Sequence, residues 1–278
     1  PTVCAISMAI GISAAAFADD YYVSADGNYG VEEGADADHR FTDLQAAVTA
    51  FEAAKVDSTI WVKGGYTYKN RIEYKTGFFT CVKVTSTKKL LIRGESGDWA
   101  DGPVICGSHK TGASATDRAT WCGEGATTCF VGAGTAYTTL LGIRLEDGAT
   151  QAASSQYGGG ALNTTLRNCL VANCAAYDRG GGTSSCTTYD CAVTNCYCGG
   201  VANPYGGGHY AGTHSNDFVF ACYCKNQGGG VRSTICYDCI ITNCVAFRGA
   251  GVFCARVINS ILCDNTCCYI GGSIEGGK

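Results

Sequence analysis

The sequence predicts an all-β fold, a right-handed parallel β-helix (solenoid) with coils of about 22 residues and a helix capping its first coil. Three observations lead there. The 278 residues include 39 Gly, 20 Cys and only 3 Pro, with 16 % charged; that is too apolar for disorder and too poor in helix formers for an α-rich domain. Glycine clusters begin at Gly158, Gly180, Gly206, Gly228, Gly249 and Gly271, at spacings of 22, 26, 22, 21 and 22. A short apolar stretch follows each of the first five clusters: NCLVANC (168–174), DCAVTNC (190–196), DFVFACY (217–223), DCIITNC (238–244) and NSILCDN (259–265). A unit of this length cannot bury a core alone, whereas stacking pairs its strands with neighbours about 4.8 Å away. Parallel crossovers are overwhelmingly right-handed, which sets the expected hand.

Taken in order, residues 1–18 carry no charge and close with Ala16-Phe17-Ala18, the shape of a secretory signal. A single domain, 19–278, is then expected outside the cytoplasm, secreted or at the cell surface, with no transmembrane span. Without Cys4 it holds 19 cysteines, so at least one thiol is free or intermolecular. Residues 43–54 predict the one substantial helix, N-capped by Thr42 with Gln45 at the capping-box position and Leu44, Ala47, Val48 and Phe51 on one face. Such a helix would cover the bare edge of the first coil. Segments 59–68, 81–84, 90–93, 104–107, 129–132 and 140–145 read as strands between Gly, Ser and Asp turns, with every strand from about Ser58 onward expected to be parallel.

Regular repeats occupy 158–278, with a loop inserted at 199–205. The third stretch is read as set back by one residue, a local bulge. Alternation then places Cys169, Cys191, Phe218, Cys239 and Ser260 in one inward column and Val171, Val193, Phe220, Ile241 and Leu262 in another. Between them Leu170, Ala192, Val219, Ile240 and Ile261 point outward, although apolar. A stripe through Leu170, Val219, Ile240 and Ile261 predicts self-association, since monomers seldom keep such a patch in water. The chain closes within a repeat, and head-to-tail contact of open coils would build a filament.

The repeat cysteines read as a core ladder of small apolar side chains. Side chains about 4.8 Å apart are too distant for the ~3.8 Å Cβ separation of a disulfide. Cys122 and Cys129, flanking the loop GEGATT, are the expected disulfide. Asn168, Asp190, Asp217, Asp238 and Asn259 precede the inward column. Asp190, Asp217 and Asp238 are Ca²⁺ candidates, because stacked carboxylates repel unless a cation intervenes; capping of turn amides is the favoured reading. His209 and His214 read as loop residues rather than a zinc pair, and His39 and His109 stand apart. The corner dipeptide Asp178-Arg179 reads as a solvated turn. Tyr157, Tyr177, Tyr205, Tyr210, Phe247 and Tyr269 flank the clusters as corner covers, with stacking on carbohydrate as the alternative. Asn163-Thr164-Thr165 is a glycosylation sequon. A net charge of −4 without a Lys/Arg cluster argues against nucleic acid.

The run FTDLQAAVTAFEAAKVDSTIWVKGGYTY resembles the entry segment of the pectin-lyase-like superfamily, where a helix caps the first coil. LLGIRLEDG, followed by GGG and repeated NC-x-V-x-N strands, is similar to the repeats of right-handed β-helix surface proteins such as bacterial polymorphic outer-membrane proteins. The resemblance spans roughly residues 20–278 and implies the fold. It leaves function open, because the superfamily hosts lyases, hydrolases, adhesins and phage fibres. Its lyases need a calcium–carboxylate cluster with an Arg or Lys base, and its hydrolases several aspartates on adjacent coils; neither is recognisable as a motif. The sequence therefore favours a non-catalytic structural, adhesive or filament-forming role, with no catalytic residue assigned. A lyase or glycoside hydrolase acting on acidic polysaccharide is the alternative.

Overall fold

Within the repeats, short strands lie between residues held in the left-handed conformation. The computed structural model describes residues 19–29, 36–114, 116–151, 156–200, 203–270 and 274–275; the apolar segment 1–18 and the cluster at Gly271 lie outside them. In the repeats, Asn168, Asp190, Asn216, Asp238 and Asn259 have φ between 44° and 56°, and Asn173, Asn195, Ala221, Asn243 and Asp264 between 52° and 55°. Asn and Asp tolerate this region better than other residues with a Cβ. Of the four residues between each pair of corners, the last three form one strand: Leu170–Ala172, Ala192–Thr194, Phe218–Phe220, Ile240–Thr242 and Ile261–Cys263. The first glycine of each described cluster, with φ between 54° and 71°, makes a further corner.

Among the described residues the strands form sheets of sixteen, eight and five members. The eight-stranded sheet runs from Thr67–Tyr68 through Val104–Cys106 and Arg144–Glu146 to the five strands just named, all parallel. The five-stranded sheet, from Ala175–Ala176 to Thr266–Ile270, is also parallel. In the largest sheet His209–Ser215 lies between Thr183–Tyr189 and Val231–Tyr237. Each pass of the chain thus lays its strands beside those of the pass before. Among the described residues two places depart from the expected parallel pairing: the hairpin Ile72–Lys75/Phe78–Lys83, turned at Gly77 (φ 70°), and the bridge Ser108–Thr127. No helix among the described residues is long and apolar enough to cross a membrane.

The helix spans Leu44–Ala54 and is capped one residue later than the capping-box pattern predicts, by Asp43, whose carboxylate accepts from the Ala46 N–H at 2.8 Å. Gln45 is drawn elsewhere: its amide brackets the backbone of Lys83, donating at 3.1 Å and accepting at 2.8 Å. The predicted face is buried, with Leu44, Ala47, Val48 and Phe51 packed among Val23, Ile60, Val62, Val82 and Val84. That core continues along the chain to Val252 and Ala255.

The register corrects the reading of the third repeat. Val219 pairs with Val193 and Ile241, and Phe218 with Ala192 and Ile240, so no residue is set back. Asp217, not Phe218, therefore follows the corner where the other repeats have Cys169, Cys191, Cys239 and Ser260. Val219 is buried and Phe218 faces out. Cys169, Cys191 and Cys239 are buried as expected. A one-residue slip exchanges the two faces of a strand, which is why a single misplaced bulge inverted this one.

Candidate functional site

Two features remain once the core is accounted for. The first is the outer face of the eight-stranded sheet. Leu170, Ala192, Phe218, Ile240 and Ile261 follow one another in register, with Phe220 in the adjoining row beside Thr194 and Thr242. Phe218, Phe220, Ile240 and Ile261 are exposed, and the two phenylalanine rings stack at 5.8 Å. Towards the other end the rows turn polar at Arg144 and Glu146, which pair at 2.6 Å. The expected stripe exists, with Phe218 in place of Val219.

The second feature was missed in the sequence. His209, His214 and Asp217 all point into the core and are buried. Thr183 and Thr188, one strand back in register, meet them: the Thr183 hydroxyl lies 2.7 Å from His209 Nδ1, and the Thr188 hydroxyl 2.7 Å from His214 Nδ1. Thr188 also donates to Asp217 Oδ2, while the Cys191 N–H donates to Oδ1 at 2.9 Å. The imidazoles stack at 3.9 Å, and Asp217 Oδ2 lies 3.8 Å from His209 Nε2 and from His214 Nδ1. Both Nε2 atoms are buried without a hydrogen-bond partner. One signal could have found the cluster: the residue ten places after each leading glycine is Asn168, Asp190, Asn216, Asp238 and Asn259, which puts Asp217 in the cysteine column.

Burial disfavours every charge here. It holds His209 down to about 3 and His214 well below the ordinary histidine value, and pushes Asp217 up to about 7. Each histidine stays neutral in the fold but takes a proton when unfolded below about pH 6.5, so its contribution is lost as the pH falls from there, for His209 down to about 3. Asp217 acts oppositely: its contribution is present below its ordinary value near 3.8 and lost as the pH rises through 7. Between the ordinary carboxylate and histidine values two histidines outweigh one aspartate, so stability is lost on acidification, with about one more proton bound by the unfolded chain than by the folded one. Chelator-treated protein is expected to follow this slope in urea unfolding. His209→Val, matching Val231 in the next repeat, should remove one proton from the difference. An unchanged pH dependence in that variant would show that His209 does not fold as the neutral form.

The remaining candidates do not converge. Asp190, Asp217 and Asp238 form no carboxylate column, because Asn216 holds the place given to Asp217. Asp190 accepts from Asn216 Nδ2 at 2.6 Å, and Asp238 from Asn259 Nδ2, so amides alternate with acids. Cys122 and Cys129 are free thiols in separate clusters, not a disulfide: Cys122 packs beside Trp121, while Cys129 is in the main core with its thiol donating to Glu146 O at 3.2 Å. The repeat cysteines satisfy corner carbonyls instead. The thiols of Cys174, Cys196, Cys222 and Cys244 reach the carbonyl two residues earlier at 3.2–3.5 Å. Burial pushes the Cys186 thiol up to about 12, which makes it a poor nucleophile. At Asn163 (φ 53°) the sequon's Thr165 is buried, its hydroxyl donating to Thr135 O at 2.9 Å. The corner aromatics interleave with arginines: Arg179 lies among Tyr157, Tyr205 and Tyr210, and Arg232 is 3.5 Å from the Tyr205 ring centre. Arg179 is thus a packed corner residue rather than a solvated one. His109 stacks on Trp121 at 4.2 Å, beside a hollow that also holds Lys69, Cys106 and Asp147.

Compared with protein-family models, curated proteins and solved structures, the chain matches none.

Proposed function

We propose that this protein is a non-catalytic, exported surface protein that works by self-association, and that its parallel sheets wind as a right-handed β-helix of the pectin-lyase-like kind. One observation carries the reading: the double row of Phe218, Phe220, Ile240 and Ile261 left exposed on the eight-stranded sheet. The row is apolar from Leu170 through Ile261 and charged at its other end, where Arg144 and Glu146 border it with a polar edge. Two such regular faces can pack on each other as stacked sheets do, about 10 Å apart. A second copy of this chain is therefore the occupant it suits. The uncharged segment 1–18 supports export, and the recurring corners and parallel pairs support the winding. Sedimentation of the wild type across a hundredfold concentration range is expected to show mass rising with concentration. A constant monomer mass would end the assembly reading.

One hollow favours a second reading, a polysaccharide lyase or hydrolase. Glu95, Asp101 and Arg144 line a depression of about 590 Å³ with Tyr66. It is the weaker reading, because both of those carboxylates are exposed and the Arg144 guanidinium is already held by Glu146. Activity on a panel of uronate polysaccharides, with and without Ca²⁺, that Glu95→Gln and Asp101→Asn abolish would establish it.

A further inference from the structure

Three core positions change character together in one repeat. The column Ala161, Thr183, His209, Val231, Val252 is apolar at both ends, and so is the column Leu166, Thr188, His214, Cys236, Val257. The third column holds Cys169, Cys191 and Cys239 around Asp217. Burying one unpaired polar group costs on the order of 1–3 kcal/mol, and here two imidazoles and a carboxylate share one interior. Native interiors rarely leave such groups unsatisfied without an ion or a water. The threonines of the preceding repeat satisfy Nδ1 of each ring, yet both Nε2 atoms meet no partner.

We infer that His209, His214 and Asp217 bind one divalent transition-metal ion, zinc foremost, inside the third repeat. The donor set is two imidazoles and one carboxylate, which suits zinc and its neighbours rather than Ca²⁺ or Mg²⁺. One ligand atom from each residue lies within 4.8 Å of the others. A tetrahedral ion about 2.0–2.2 Å from each ligand needs ligand atoms roughly 3–4 Å apart; Asp217 Oδ2 is approached at 3.8 Å by Nε2 of His209 but by Nδ1 of His214, so the His214 ring must turn to bring its Nε2 to the ion. The outer partners are already in place. A metal-bound imidazole donates its second N–H to an oxygen that fixes the tautomer, and Thr183 and Thr188 supply those oxygens. Thr188 in turn donates to Asp217, and the Cys191 N–H donates to its other oxygen. Cys236 is in register with His214 one repeat on, but its thiol meets the Thr234 hydroxyl at 3.4 Å and does not join the three ligand atoms. The ion would be a structural brace, tying the third repeat to the second through the two threonines.

The full chain, stripped with chelator and reloaded with Zn²⁺, is expected to retain one zinc per chain after desalting against a weak competitor. The cysteines make stoichiometry alone insufficient, so X-ray absorption reads the ligands. Nitrogen and oxygen at about 2.0–2.1 Å with no more than one sulfur is expected. Zinc should also raise the melting temperature of the wild type. His209→Val is expected to fold, because the next repeat carries Val231 there, and to bind zinc at least about 10-fold more weakly, a factor at which even outer-shell losses begin. Failure of wild type to retain zinc would overturn the proposal and leave a buried water as the partner of the Nε2 atoms. A shell of two or more sulfurs at about 2.3 Å, or unchanged binding by a folded His209→Val, would overturn it equally. If that variant does not fold, the absorption spectrum of the wild type still decides.

Discussion

Phe218→Asp combined with Ile240→Asp is expected to abolish the proposed self-association without disturbing the fold. Both side chains lie on the outer face, 42 % and 40 % exposed, on strands paired with each other. Their inward neighbours Val219 and Ile241, which hold the strands to the core, are untouched. Completing the burial of two such side chains against a second copy is worth on the order of 2–3 kcal/mol. Two carboxylates in their place would also have to be desolvated at the centre of the contact. Association should weaken at least about 100-fold, since each 1.4 kcal/mol is tenfold. Sedimentation velocity reads the mass, and circular dichroism with thermal melting reads the fold. Leu170→Asp, in the same row but half-buried and nearer the polar end, should act in the same direction with a smaller effect. A double variant that still assembles like the wild type would place the contact elsewhere, and the proposed role would lose its support.

Gly207→Val is expected to cost about 3 kcal/mol, the upper end of overpacking penalties. A Cβ at Gly207 would lie against the carbonyl oxygens of Gly229, in the next repeat, and of Tyr223, closer than real Cβ atoms approach. Backbone of adjacent repeats cannot give way there without parting the ladder in which Gly207 N–H donates to Gly228 O at 2.9 Å. The fifth cluster carries Ala250 at the corresponding place, so valine makes a sharper test than alanine. Gly65→Ala is the control. Gly65 has a left-handed backbone, φ 75°, where Gly207 has none, but nothing lies within 4 Å of its missing Cβ. Only the conformational cost of about 1–2 kcal/mol should appear there. Denaturant midpoints separate the two. Equal losses would mean that the clusters serve only as corners, not as points of close approach.

Much of the molecule was legible in the chain because its periodicity reports local rules. Glycine spacing marked the corners, alternation placed Cys169, Cys191 and Cys239 inside, and apolar spacing identified the buried face of the helix at Leu44–Ala54. The amphipathic pattern could not choose between Thr42 and Asp43 as cap, because Gln45 had a competing partner 38 residues away at Lys83. The hairpin at Ile72–Lys83 was likewise hidden, since strand direction depends on which strand lies alongside.

The sequence by itself determined the repeat, the corner residues and the cysteine ladder, because each rests on a residue's own preference for φ, size or polarity. The tertiary structure alone decided what a non-repeating residue does. Asp217 looked like a turn residue until pairing with the strands on either side put it inside, facing His209 and His214. Thr183 and Thr188 became partners of those histidines only because the chain returns 26 residues later to lie in register beside them. Register is a relation between strands, and a slip of one residue exchanges core for surface. A site assembled across repeats is therefore visible only once the strands are paired.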